Sequence, residues 1–441
     1  MPANRILVDL TTAFDERNTI PHGTTRVERK LIEALARLGR SDIAFCRFDK
    51  RAGRFIPLST AEALAVATTV PVADSRRAAR VSTRRYPGVA QLHKLELWFR
   101  KSVRDPIRQA RSKARIEKTL VDTTAAPDAG IFDQGTILLL PGELQRQDFG
   151  LLMSLRRKLN VRLVFVFYDL LDTLTTGDPR LRDPDAADVP GSNFVMREGS
   201  LILPISHYSE GELRKYADTH GIALPAIKTI RLGHQIAEAS AIDGVDDLIP
   251  GQFVLTVGDV NHRKNHSLLT GIWASLARER STPPIPLVIA GRIGTDGQPL
   301  VAAVKSDPAA AAVIRFLSDV DDAKLQWLYR NCRFTLFPSR SEGFGLPVVE
   351  SFTFGKPCIA SNTTSIPEAS QGLATHLGPD DAAGWRTAIA RLLDDDAALA
   401  SDKAEIAIRF RLTSWTDTAN DVLAAIADEL QKPEADGTAG G

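Results

Sequence analysis

The chain has 441 residues, is 44% hydrophobic and 25% charged, and carries a formal net charge of +1. That length exceeds what a single core usually serves, so two domains are the first expectation. A near-neutral balance and ordinary composition exclude fibrous, disordered and bulk-charge-driven classes.

Cys46, Cys332 and Cys358 are far apart and odd in number, without metal-ligand spacing, and read as buried thiols of a reducing compartment. MPANRILVDL runs straight into a strand, and no segment approaches the roughly eighteen uninterrupted apolar residues of a spanning helix. The expectation is a cytoplasmic chain that neither crosses a membrane nor is exported.

Residues 6–10 read as a first strand, 11–23 as a polar loop and 25–38 as a helix. Residues 42–48 and 54–58 read as strands joined by a tight turn at Ala52-Gly53. From 74 to 118 there are fourteen Lys or Arg against four Asp or Glu, with Leu92, Leu95, Phe99 and Val103 at helical spacing beside Trp98. This basic amphipathic stretch fits an anionic membrane surface, and equally a solvated helix packed on the domain or on a partner. Nucleic acid is not expected, because no aromatic-interleaved recognition motif accompanies the charge.

Strands at 136–140, 162–167 and 201–205 alternate with helices at 149–158 and 207–217, the rhythm of a parallel sheet. Tyr168 and Asp169 stand at the C-terminal end of an apolar strand, where open α/β sheets bind ligands. The triplet Asp183-Pro184-Asp185 falls in a polar loop and reads as solvated, so no metal site is expected. Residues 237–251 are small and acidic without strong periodicity and read as an interdomain linker.

The sheet pattern restarts at 253–257. VGDVNHRKN ends a strand at Gly258 and opens a helix after Arg263-Lys264-Asn265, so two cations stand where a leaving diphosphate can be neutralised without metal. Buried strands follow at 287–291 and 313–317, then a helix at 321–331. Residues 334–337 form a further strand, 339–345 a glycine-bearing turn and 345–354 a helix stopped by Gly355. The free N–H groups of that helix start suit a phosphate. Glu342 precedes the helix and Glu350 lies within it, and carboxylates among apolar neighbours need partners. Neutral hydroxyls suit them better than phosphate, and two hydroxyl-reading acceptors flanking a diphosphate site suggest a nucleotide sugar. Residues 382–393 and 397–411 read as helices, and Ser414 as the N-cap of a final one.

Glu342, seven residues and Glu350, inside SEGFGLPVVES and followed by GKPCIAS and SIPE, resemble the signature of retaining glycosyltransferases of the GT-B fold, family four. The resemblance implies that Glu342 meets the transferred sugar and Glu350 the ribose, with Gly343, Phe344, Gly345 and Leu346 around sugar and diphosphate. HGTTRVERKLIEAL resembles the family's N-terminal glycine loop and implies donor contacts at His22, Gly23, Thr24 and Arg26. The family's G-x-x-x-x-R-K-N pattern assigns the diphosphate to Arg263 and Lys264, and Leu317 and Ser318 become neighbours of the base. At Tyr168-Asp169 the family commonly reads His-Asp. Here Tyr168 can still donate a hydrogen bond, and Asp169 keeps its place. PISHYSEGELRKY resembles the next unit, with Ser206 near the cleft.

The resemblance implies an α/β GT-B fold, with two Rossmann-like domains facing across a cleft. The expected segments are an N-terminal acceptor-side domain at 1–240, the linker at 241–251 and a nucleotide-sugar domain at 252–413. A helix at 414–431 crosses back to the first domain, and 432–441 is a disordered tail. The implied activity is metal-independent retaining transfer of a sugar such as mannose from a nucleoside-diphosphate sugar, with no cofactor. The acceptor is a hydroxyl of a saccharide or lipid-linked saccharide. Two readings compete: a nucleotide-sugar epimerase of the same fold, and a non-catalytic binding scaffold.

Overall fold

Apolar runs without alternation, such as ILVD, ILLL, RLVFVF and LILP, bury both faces, as parallel strands between helix layers do. A computed structural model describes residues 5–19, 23–69, 130–170, 190–236, 240–318 and 320–431. The basic stretch at 74–118, His22, Asp183-Pro184-Asp185 and the tail at 432–441 lie outside the described residues. Contacts within the chain separate it into two units, Met1–Val164 and Phe165–Gly441.

The first unit runs β1 (Ile6–Asp9), α1 (Thr11–Asp15), α2 (Gly23–Arg37), β2 (Ile43–Asp49), β3 (Arg54–Leu58), α3 (Thr60–Thr68), β4 (Ile137–Leu140), α4 (Phe149–Leu159) and into β5 (Arg162–Phe167). β1 pairs in parallel with β2 and β4, with Ile6 opposite both Ile43 and Ile137. β3 is antiparallel to β2 and ends the sheet, which is where Pro57 is tolerated. The hairpin turns at Gly53, whose φ of 66° suits glycine. α2 begins two residues before the expected position, with Gly23 at φ 45° as its first residue.

The second unit continues with α5 (Pro190–Glu198), β6 (Leu201–Pro204), α6 (His207–Thr219) and β7 (Ala226–Ile227). The first sheet has the order β3-β2-β1-β4-β5-β6-β7. Next come β8 (Val254–Val257), α7 (His266–Glu279), β9 (Leu287–Ala290), α8 (Gln298–Ser306), α9 (Pro308–Val313), β10 (Ile314–Leu317) and α10 (Asp322–Asn331). They are followed by β11 (Thr335–Phe337), α11 (Leu346–Thr353), β12 (Cys358–Ser361), α12 (Ile366–Ala369) and β13 (Thr375–Leu377). α13 (Ala382–Asp394), α14 (Asp396–Arg409) and α15 (Trp415–Gln431) close the chain. The second sheet has the order β10-β9-β8-β11-β12-β13 and is parallel throughout. Both sheets therefore reverse their strand order beside the first strand of the set, at β1/β4 and β8/β11, the arrangement of a dinucleotide-binding fold.

Within the stretch expected as linker, 237–251, three residues pack on the second sheet. Val245 is buried, and Ile242 and Leu248 lie with it against a core of Phe253, Leu255, Val288, Leu325 and Tyr329. The unit boundary falls in β5 instead, because residues beyond it are tied to the C-terminal part of the chain. Arg231 makes a two-pronged ion pair with Asp421, Trp415 Nε1 donates to Gln235 O at 2.9 Å, and His234 exchanges backbone and ring hydrogen bonds with Thr413. α15 begins at a reciprocal cap in which Ser414 and Asp417 each satisfy the other's backbone N–H. Cys46, Cys332 and Cys358 are buried free thiols.

Candidate active site

Loops that leave β8 and β11 meet at the point where the second sheet reverses its order. Gly258 adopts φ 152°, and Asn265 adopts the left-handed φ of 55° before α7 starts at His266. Arg340 N–H donates to Arg263 O at 2.8 Å and ties the two loops together. His266 is held neutral, its ring pushed down to about 4 by burial and by the nearby Lys264 charge.

Lys264 Nζ donates to Glu342 Oε1 at 2.6 Å, and Arg263 Nη1 lies 2.8 Å from Glu342 Oε2 while also donating to Ser341 O at 2.7 Å. Ser339 Oγ donates to Glu342 Oε1 as well, and Glu342 N–H donates to Thr364 Oγ1 at 3.0 Å. Burial works to raise the Glu342 carboxyl, but the charges of Lys264 and Arg263 outweigh it and hold it below the usual carboxylate range. Lys264 is itself depressed by burial, with Arg263 adding to the effect and Glu342 opposing it. Glu342 thus meets one neutral hydroxyl, Ser339, as expected of its partners, and in addition two cations that the β8 loop delivers to its carboxylate.

The turn between Glu342 and α11 is held by its carbonyls. Ser365 Oγ shares its proton between Glu342 O at 2.8 Å and Phe344 O at 2.9 Å. Gly343 O accepts from Ser206 Oγ at 2.8 Å, and Ser209 Oγ, which donates to Tyr168 O at 2.7 Å, lies 3.2 Å from it. The N–H groups of Gly343, Phe344 and Gly345 have no hydrogen-bond partner among the described residues. Gly345, at φ 111°, precedes α11 and makes no side-chain cap, and Leu346 is the first helical residue. A run of free N–H groups at a helix N-terminus is an anion site.

Tyr168 and Asp169 follow β5 and lie against this turn. A Cβ on Gly343 would stand 2.7 Å from both Asp169 Oδ2 and Tyr168 O, so only glycine permits the approach. Glu350 is buried in α11, and its Oε2 accepts from Tyr329 hydroxyl at 2.9 Å. Leu317 ends β10, with its carbonyl accepting from Gly291 N–H at 2.9 Å, and Ser318 beyond it is exposed. Gly23, Thr24 and Arg26 form the first turn of α2 in the first unit.

Within the second unit the structure thus brings together Arg263, Lys264 and Glu342, and separately Asp169, Tyr168 and Gly343. Sequence reasoning gave no role to Ser209, Ser339, Ser365 or Glu368. Ser365 and Glu368 stand in the quoted SIPE run, which was the signal available for them.

Residues 250–409 match the family model described as glycosyl transferases group 1. The chain is 25% identical over 280 residues to the serotype-specific mannosyltransferase WbdA of Escherichia coli, covering 59% of this chain and 32% of that one. It is 29% identical over 201 residues to the O-antigen chain mannosyltransferase B of the same organism, covering 45% of this chain and 52% of that one. The matches thus span about a third to a half of the length of these relatives. Among solved structures, Alr3699/HepE of Anabaena in complex with UDP and glucose superposes with a TM-score of 0.59 at 14% identity, covering 97% of this chain and all of that one, a likeness of fold.

Proposed function

We propose that the protein, whose residues 250–409 match the model of glycosyl transferases group 1, transfers a sugar from a nucleoside-diphosphate sugar to a hydroxyl, retaining anomeric configuration. The observation that carries this reading is the Arg263–Lys264–Glu342 cluster beside the free N–H groups of Gly343, Phe344 and Gly345. Two cations and an open helix start answer the charge of a diphosphate leaving group. Glu342 keeps the cations together until that charge arrives.

In the proposed reaction the acceptor hydroxyl attacks the anomeric carbon on the face from which the diphosphate departs. The carbon–oxygen bond to the diphosphate breaks as the new glycosidic bond forms, and the hydroxyl proton passes to the departing diphosphate oxygen. Arg263, Lys264 and the Phe344 and Gly345 N–H groups stabilise the negative charge that develops. Asp169, against Gly343, faces the transferred sugar with Tyr168, while Glu350, oriented by Tyr329, meets the ribose. Leu317 and Ser318 flank the base. No protein nucleophile and no metal is needed.

Mannose on a surface polysaccharide or lipid-linked saccharide is the finer proposal, supported by the names of the two relatives. A lipid-linked acceptor would place the enzyme at the inner face of the cell membrane. No helix among the described residues is long and apolar enough to cross one.

The test is release of nucleoside diphosphate from a panel of nucleotide sugars, with a saccharide acceptor and with chelator present. Acceptor-dependent release unaffected by chelator supports transfer. Conversion of the sugar nucleotide without acceptor indicates an epimerase, and binding without turnover a scaffold.

A further inference from the structure

The peptide joining Gly343 to Phe344 is held from one side only. Its carbonyl accepts from Ser206 Oγ at 2.8 Å, with Ser209 Oγ 3.2 Å away beside it, and both serines are buried. A trans peptide directs its N–H opposite to its carbonyl, so the Ser206 hydroxyl, with Ser209 packed beside it, fixes the direction in which Phe344 N–H points. Ser209 Oγ donates to Tyr168 O at 2.7 Å, which joins the end of β5 to the same grip.

Both serines belong to the start of α6, where Ser206 is the N-cap and its Oγ accepts from Ser209 N–H at 3.0 Å. The next two free N–H groups of that helix, at His207 and Tyr208, are taken by one carboxylate from α12: Glu368 Oε1 accepts from His207 N–H at 2.8 Å and Oε2 from Tyr208 N–H at 3.1 Å. A carboxylate at a helix N-terminus is favoured by both the free donors and the helix dipole. Glu368 is solvent-exposed, so the bond can be made and released without leaving a buried charge.

We propose that Glu368, acting through the start of α6 with Ser206 and Ser209, is a brace that sets the direction of Phe344 N–H and the closeness of Asp169 to Gly343, making these three positioning residues for sugar transfer. This rests on the function proposed above. Glu368 touches neither the cation cluster nor the free N–H groups in the described contacts. Its loss therefore changes how well the site meets the charge of the transition state more than how tightly the ground state binds.

Glu368→Gln, Glu368→Asp and Ser209→Ala are compared with the parent protein by kcat and KM for the donor, by affinity for nucleoside diphosphate and by hydrogen exchange of peptides covering 206–210 and 342–348. Glu368→Gln and Ser209→Ala are expected to lower kcat by about ten- to a hundredfold, with nucleoside diphosphate affinity within about threefold and the fold intact. Glu368→Asp, which keeps the charge, recovers part of the loss. Exchange in both peptides accelerates together in Glu368→Gln, by roughly fivefold or more. An unchanged kcat, or faster exchange at 206–210 with 342–348 unaffected, overturns the brace. If the parent protein turns over no donor, the functional reading fails, and the exchange result still decides the brace.

Discussion

Lys264 Nζ and Glu342 Oε1, 78 residues apart in the chain, lie 2.6 Å apart where β8 and β11 stand side by side. The contact places a buried carboxylate between two cations at the end of the second sheet. It makes the site electrostatically self-contained before any ligand arrives.

Removing Glu342 leaves Lys264 and Arg263 facing each other. Glu342→Gln is expected to cost about 3–5 kcal/mol of stability, the range for breaking one side of a buried pair. Millimolar phosphate or nucleoside diphosphate should restore part of it by binding the native state. Chemical denaturation with and without the anion measures both. A loss that anions do not relieve would mean the cations do not form an anion site.

The same pair sets a pH limb. Because the Glu342 carboxyl is held below its ordinary value in the folded protein, its contribution is present above the unfolded value near 4.5 and is lost as pH falls through the folded one. Stability of Glu342→Gln should therefore fall less steeply than that of the parent below about pH 4.5, as read by denaturation across pH.

Opposite behaviour is expected in the first unit. Asp9 is pushed up to about 6 by burial, against the hydrogen bonds it accepts from Thr11 and Gln147, and burial drives Glu28 well above its usual value. Glu28 Oε1 accepts from Ala13 N–H at 3.1 Å, whereas its Oε2 is buried without a partner. Raised carboxyls give stability that is complete below the unfolded value and is lost as pH climbs, for Asp9 between about 4 and 6. Glu28→Gln imitates the protonated acid, so it should match the parent at pH 4 and exceed it by about 1–3 kcal/mol at pH 8. Equal denaturation midpoints at pH 8 would contradict this.

Gly343 has no room for a side chain. Gly343→Ala places a Cβ within 2.7 Å of Asp169 Oδ2 and Tyr168 O, so the turn or the end of β5 must move. We expect a loss of about 1–3 kcal/mol and a larger proportional loss of turnover, measured by thermal unfolding and steady-state kinetics. Normal turnover would show that the approach of Asp169 is dispensable.

The strands were legible because buried parallel strands are continuous apolar runs: residues 162–167 were expected as they are observed. Glycine turns and helix starts were legible for the same local reason, as at Gly258 and Gly345. What no local pattern reveals is which distant groups pair. Arg263, Lys264 and Glu342 each stand in a readable motif, yet their ion pairs depend on the adjacency of β8 and β11. Glu368 and the start of α6, 161 residues apart, were joined by nothing in the sequence. Residues 237–251 read as linker because Ile242, Val245 and Leu248 are diluted by Asp and Gly, although all three pack against one core.

The most direct test of the central claim is calorimetric titration of nucleoside diphosphates into the parent protein and into Lys264→Met, in chelator. The account predicts binding of at least one nucleoside diphosphate by the parent and a weakening of about tenfold or more in the variant, the worth of one charge-assisted contact. Absence of binding by a folded parent protein, or equal affinity in Lys264→Met, would contradict the assignment of this cluster as the donor site.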